Sequence, residues 1–133
     1  METMLESLFK KRILDNALNR ESRIVLAFDE YGNENLVLSR LNWVCENLGG
    51  YLAGIKIGYP TILSAGLFQL KKIFDKFGSE NVFIADVKIA DISYTNSLIA
   101  KLLYKTGFDA VIAHGFIGYD GGLEGVFKEA EKL

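Results

Sequence analysis

Cysteine is nearly missing from this chain: Cys45 stands alone among 133 residues, which excludes a disulfide framework or a thiolate metal cluster and fits a reducing cytoplasm. An excess of one charge is missing too. Fifteen basic residues against seventeen acidic ones leave a formal net charge of −2, so no basic face for nucleic acid is indicated. No apolar run approaches the ~20 residues of a membrane span, and Met1-Glu2-Thr3 does not begin a secretory signal. Half of the residues are hydrophobic, enough for one core, and the length leaves no room for a second domain. The expectation is a soluble, cytoplasmic globular protein that binds neither nucleic acid nor membrane.

What is there is a regular alternation. Ile24 to Phe28, Leu52 to Ile57, Val82 to Val87 and Ala110 to Ala113 are short apolar segments with the character of buried parallel strands. Between them, Val37, Leu41, Val44 and Leu48 recur at helical spacing, as do Leu67, Leu70, Phe74 and Phe77, and less cleanly Thr95, Leu98, Leu102 and Lys105. Each run meets glycine (Gly49-Gly50, Gly78, Gly107), the residue that tolerates the left-handed conformation at a helix end. A last helix is expected over about 122–132. Ahead of the first strand, Met4, Leu5, Leu8, Ile13, Leu14 and Leu18 form an apolar stripe, with Lys10-Lys11-Arg12 placed on the solvent side. A leading helix over about Met4 to Leu18 is expected to close the bottom of the sheet, in preference to lying on a membrane surface.

The polar residues that close the strands carry the chemistry. Asp29, Lys56, Asp86 and His114 each follow an apolar run, at separations of 27, 30 and 28 residues. One strand, one helix and two loops take about 30 residues, so these groups occupy equivalent positions of successive units and gather at the C-terminal edge of the strands. The third run is the richest, since Asp86-Val87-Lys88-Ile89-Ala90-Asp91 puts an acid, a base and a second acid at the mouth of an apolar strand. Side chains two apart on a strand share a face, so Asp86 and Lys88 are expected to point the same way. A (β/α)8 barrel takes roughly 250 residues. Four βα units therefore make either a small open α/β sheet or half of a barrel.

Asp86-Val87-Lys88-Ile89-Ala90-Asp91-Ile92, followed by Thr95-Asn96, resembles the D-x-K-x-x-D-I-x-x-T signature of orotidine 5′-phosphate decarboxylases of the archaeal type. Leu26-Ala27-Phe28-Asp29, Ile55-Lys56-Ile57-Gly58-Tyr59-Pro60 and His114-Gly115-Phe116-Ile117-Gly118 are similar to the family's flanking motifs, in order and spacing. One departure is Ser93, where the family usually carries Pro, Gly or Ala. The resemblance implies an α/β fold made of the first four βα units of a (β/α)8 TIM barrel. Residues 1–22 would be an N-terminal helix and 23–133 a (βα)4 half-barrel. It also implies decarboxylation of orotidine 5′-phosphate to UMP and carbon dioxide, the last step of de novo pyrimidine nucleotide synthesis, with no metal and no cofactor.

Residue by residue, the resemblance makes Lys88 the cation that stabilises and protonates the carbanion, and sets Asp86 against the substrate carboxylate. It gives Lys56 the task of holding Asp86 ionised, and sends Asp91, with Ile92 and Thr95, into a neighbouring subunit's site. Asp29, Ile92, Thr95 and His114 would line the substrate. The family's phosphate-gripping Arg and Gln belong to a second half, so little or no activity is expected of these 133 residues alone. A homodimer or a complementing C-terminal half would be the partner, since an open half-barrel leaves two strand edges and an apolar interior uncovered.

Blander readings stand beside these. Asp86 and Lys88 can be a structural ion pair, Asp91 a cap for a helix starting near Ile92, Lys56 a solvated strand end, and His114 a packing residue. Cys45 and Trp43 read as packing residues on the first crossover helix. Gly121-Gly122 offers only a weak phosphate site. The alternatives for the whole are a magnesium-dependent sugar-phosphate lyase of the same superfamily and a non-catalytic half-barrel module. Lys56 argues against the first, because a lysine there repels a divalent cation.

Overall fold

The computed structural model describes residues 7–133. Four strands, β1 (Val25–Phe28), β2 (Gly54–Gly58), β3 (Phe83–Ile89) and β4 (Ala110–Ala113), pair in parallel in the order β1-β2-β3-β4. Ala27 lies opposite Lys56, and Gly58 opposite Asp86. The crossovers are α2 (Glu34–Asn47), then α3 (Tyr59–Ala65) with α4 (Leu67–Phe77), then α5 (Ser93–Thr106); α6 (Glu124–Ala130) follows β4 and α1 (Leu8–Asn19) precedes β1.

Strand order never reverses, and right-handed crossovers between successive neighbours put every crossover helix on the same face of the sheet. A doubly wound sheet would reverse its order and cover both faces; this progression is that of a barrel. The covered face is the core: Phe28, Ile55, Ile57, Phe83, Ala85, Val87 and Ile89 pack with Val37, Leu41, Leu70, Phe74, Ala100 and Leu103. Phe74 stacks on Phe83 with centroids 4.2 Å apart and meets Phe108 edge-on at 4.8 Å. The alternate residues lie on the other face, where Val25 and Ala27 are exposed and Lys56 and Ile84 half-buried.

Several expectations change in detail. The second crossover holds two helices, not one, with Pro60 starting α3 and Gly66 (φ 73°) separating α3 from α4. The last helix is shorter than expected, Glu124–Ala130. Of the three glycine stops only Gly107 is left-handed, at φ 116°. Gly78 has φ −68°, and Gly49 opens a short 3-10 turn. Space explains those two: a Cβ would lie 2.5 Å from the Phe74 carbonyl oxygen at Gly78, and 2.6 Å from Asn81 Oδ1 at Gly49.

The leading helix closes the N-terminal end of the sheet with Lys10 and Lys11 exposed and Ile13 half-buried, as expected, but the rest of its stripe and Arg12 are reversed; Met4 and Leu5 fall outside the described residues. α1 begins after Ser7, whose hydroxyl caps Lys10 N. Leu8, Leu14 and Leu18 are exposed, while Arg12, Asn16 and Arg20 face the sheet. Arg12 pairs with Asp109 and donates to the Gly78 and Asn81 carbonyls. Asn16 donates to the Ala53 and Glu80 carbonyls, and Arg20 to those of Gly49, Leu52 and Glu80. The reason is electrostatic. The carbonyls involved belong to the segments that join α2 to β2 and α4 to β3, which converge at this end of the sheet, and a guanidinium matches clustered carbonyls where a leucine does not.

Candidate functional site

At the C-terminal edge of the strands a carboxylate is held between two ammonium groups. Lys56 Nζ donates to Asp86 Oδ2 and Lys88 Nζ to Asp86 Oδ1, each at 2.7 Å. Asp86 is 7% exposed, whereas the Lys56 and Lys88 side chains retain 30% and 54% of their surface. The two lysines hold the Asp86 carboxyl below the usual aspartate range, first through the Lys56 hydrogen bond and then that of Lys88. Lys56 is in turn raised, chiefly by its bond to Asp86, with the charges of Asp86 and Asp29 contributing. At neutral pH Asp86 is therefore an anion and Lys56 a cation. Ion pairing holds both states.

Asp29 enters this group through a missing side chain. A Cβ on Gly58 would fall 1.8 Å from Asp29 Oδ1, so the carboxylate at the end of β1 occupies the space a residue 58 side chain would fill. The importance of Gly58 was not read from the sequence. Its signal is a glycine opposite Asp86, which becomes visible only once the register is known.

Lys88 does not sit on a regular strand. Its φ is +48°, one of two non-glycine residues with positive φ among those described, and the pairing of β3 with β4 slips between Ala85 and Ile89. A bulge at this point re-aims a side chain. The left-handed conformation costs an L-residue about 1–2 kcal/mol. Simple alternation would have set Lys88 on the same face as Asp86; the bulge sets where on that face its ammonium stands.

The other candidate residues lie around this cluster. Asp91 is exposed, and its carboxylate accepts from Ile92 N at 2.7 Å. It caps no helix: α5 starts at Ser93, with Ile92 as the N-cap residue and no side-chain cap bond. Nor does Asp91 pair with Lys56 or Lys88 among the described residues, so three charges and not four are bonded together within the chain. Ile92 is exposed and Thr95 half-buried on the first turn of α5. His114 follows β4, donates its backbone N–H to the Ile89 carbonyl at 2.8 Å and sets its ring 4.9 Å from Phe116. The packing reading of Trp43 fails, because it is 56% exposed along an open groove of about 580 Å³ beside β1. That of Cys45 holds, and burial pushes its thiol up to about 12. No helix among the described residues is long and apolar enough to cross a membrane.

Residues 22–133 match the family described as Orotidine 5′-phosphate decarboxylase / HUMPS family. The orotidine 5′-phosphate decarboxylase of Pyrococcus abyssi is 39% identical over 97 residues, which are 73% of this chain and 43% of the relative. That of Thermococcus kodakarensis is 40% identical over 100 residues, 75% and 44% of the two chains. The crystal structure of the orotidine 5′-monophosphate decarboxylase from Methanocaldococcus jannaschii superposes with a TM-score of 0.71 at 37% identity, over 84% of this chain and 50% of that one. The chain thus spans about half the length of the relatives it matches.

Proposed function

Because the chain belongs to the orotidine 5′-phosphate decarboxylase / HUMPS family, we propose that it supplies the chemical half of a cytoplasmic, metal-independent orotidine 5′-phosphate decarboxylase. The observation that carries this reading is the buried Asp86 held between the ammonium groups of Lys56 and Lys88. Decarboxylation breaks the bond between C6 of the pyrimidine and its carboxylate, releases carbon dioxide and leaves an electron pair at C6. No adjacent π-system delocalises that pair, so the site must stabilise it by electrostatics. Lys88, the more exposed ammonium, stands beside C6 and passes a proton to it. Asp86, already an anion, faces the substrate carboxylate and loses a repulsion as carbon dioxide departs. Lys56 keeps Asp86 ionised, and Asp29, at the same rim, takes a sugar hydroxyl.

Asp91, Ile92 and Thr95 stand on the rim outside this cluster, which suits the resemblance's placing of them in a neighbouring subunit's site. His114 lines the rim after β4. β1 and β4 each have one strand neighbour, and the face away from the helices is uncovered, so a second copy or a complementing half completes the cavity. Residues that grip the phosphate would come from that complement. Remote binding energy of this kind supports the chemical step.

The test follows loss of orotidine 5′-phosphate absorbance with the chain alone, and with the chain plus the C-terminal half of a relative. Slow or no turnover alone, turnover when completed, and loss of it in Lys88→Ala are expected. Equal turnover with Lys88→Ala, or magnesium-dependent cleavage of a sugar phosphate instead, overturns the reading. Light scattering across concentrations checks the assembly, and a well-behaved monomer counts against it.

A further inference from the structure

Asn96 is fully buried in the first turns of α5, and its amide is bonded at both ends. Its Oδ1 accepts from Asp91 N at 2.9 Å, while its Nδ2 donates to the Asp91 carbonyl at 2.7 Å and to the Gly122 carbonyl at 3.0 Å. We infer that Asn96 is a positioning residue: it fixes the peptide planes on either side of Asp91 and ties them to the turn after β4, so that the two rim loops hold one arrangement. The function of that arrangement rests on the reading of Asp91 given above; the coupling itself does not.

The geometry favours this over simple filling of space. A buried helical position packs better with an apolar residue, and burying an amide is costly unless its groups are paired. All of this amide's bonds go to the backbone of loops and none to its own helix, and the orientation is set by its partners, two carbonyls facing Nδ2 and one N–H facing Oδ1. The helices that follow the two loops also meet closely, since a Cβ on Gly125 of α6 would fall 2.0 Å from the carbonyl oxygen of Ser93 at the start of α5. The turn after β4 is itself tight, and a Cβ on Gly122 would fall 2.7 Å from the Ile117 carbonyl oxygen. Asp91 thus projects from a segment gripped on its backbone while its carboxylate stays outside the grip.

Amide hydrogen exchange on the chain tests the coupling. In Asn96→Ala the Asp91 amide loses its acceptor and the turn loses its tie, so the Asp91 and Leu123 amides should both exchange about tenfold faster. The β2 amide of Ile55, bonded to the Val82 carbonyl, should keep its rate. If Asn96→Ala does not fold, Asn96→Asp serves, since it keeps an acceptor for Asp91 N and removes the donor to both carbonyls; the Ile92 and Leu123 amides should then accelerate while Asp91 keeps its rate. An unchanged Leu123 rate, or acceleration spread evenly along α5, overturns the inference. A double-mutant cycle in the completed enzyme asks whether Asn96 acts through Asp91. Asp91→Asn combined with Asn96→Ala should lose no more kcat/KM than Asp91→Asn alone, to within about twofold; losses that multiply overturn the positioning role. If exchange behaves as expected and no decarboxylation is found, the functional reading fails while the coupling stands.

Discussion

Both ends of this sheet carry charged side chains, and they are used in opposite ways. At the N-terminal end Arg12 and Arg20 donate to backbone carbonyls, and Asp109 accepts from Arg12 and from Phe83 N at 2.8 Å. At the C-terminal end Lys56 and Lys88 donate to one carboxylate and, among the described residues, to no carbonyl. The first arrangement finishes the backbone's hydrogen bonding and fastens α1 to the fold. The second leaves ammonium groups concentrated on a half-open rim, where a ligand can meet them. The two aspartates respond accordingly: Asp86 is pushed down by its lysines, while Asp109 is raised, burial outweighing the Phe83 N–H and Arg12. A charge at a strand end is thus informative only together with what it is bonded to.

The sharpest way to break this contrast is at Lys88. Lys88→Ala should lower kcat/KM of the completed enzyme roughly a thousandfold, by removing the cation at the developing charge. Lys88→Gly should be equally inactive yet unfold at higher urea than Lys88→Ala, because both lose the bond to Asp86 and only glycine relieves the positive φ, by up to about 1 kcal/mol. A Lys88→Gly chain no more stable than Lys88→Ala would undo the argument about strain.

At the other end, Arg12→Ala should cost roughly 2–4 kcal/mol in urea melts, since it strands the mostly buried Asp109 and two carbonyls. Turnover per folded molecule should not change; a catalytic defect there would erase the difference between the two ends. A smaller effect separates the contributors to the rim. Gly58→Ala forces the Asp29 carboxylate aside and should raise KM about tenfold, with kcat falling less, if Asp29 binds the sugar. A pure kcat defect would move Asp29 into the chemical step.

The smallest effect is in the pH dependence of stability, and its sign differs between the ends. Asp86 is lowered in the folded state, so its contribution is present above the ordinary aspartate range and is lost as pH falls through its folded value. Asp109 is raised, so its contribution is present at acid pH and is lost as pH rises through its folded value. Stability of the parent relative to Asp86→Asn should therefore grow with rising pH across the carboxylate range, while that relative to Asp109→Asn should shrink. Parallel slopes would mean that the two aspartates share one kind of environment.

Much of the fold was legible beforehand, for identifiable reasons. The four strands announced themselves as apolar runs, and the 27, 30 and 28 residue spacing of Asp29, Lys56, Asp86 and His114 reflects the length of a βα unit. The Asp86–Lys88 contact follows from near neighbours on one strand. α3 was hidden because its apolar residues run on from β2 without a polar break. α1 was misread because hydrophobic periodicity assumes that the apolar stripe faces the protein, an assumption that backbone carbonyls clustered in the connecting segments can override.

The amino-acid order alone determined the four strands, the helices other than α3, and which charges close the strands, because periodicity and turn chemistry are local properties of the chain. Only the tertiary structure decided that Asp29 lies over Gly58, that Lys88 stands on a bulge, that Arg12 points inward, and that Asn96 joins Asp91 to Gly122. Each of these depends on strand register or on the meeting of segments some 25 or more residues apart in sequence. Such distances are set by packing the whole sheet against its helices, and no local pattern encodes them.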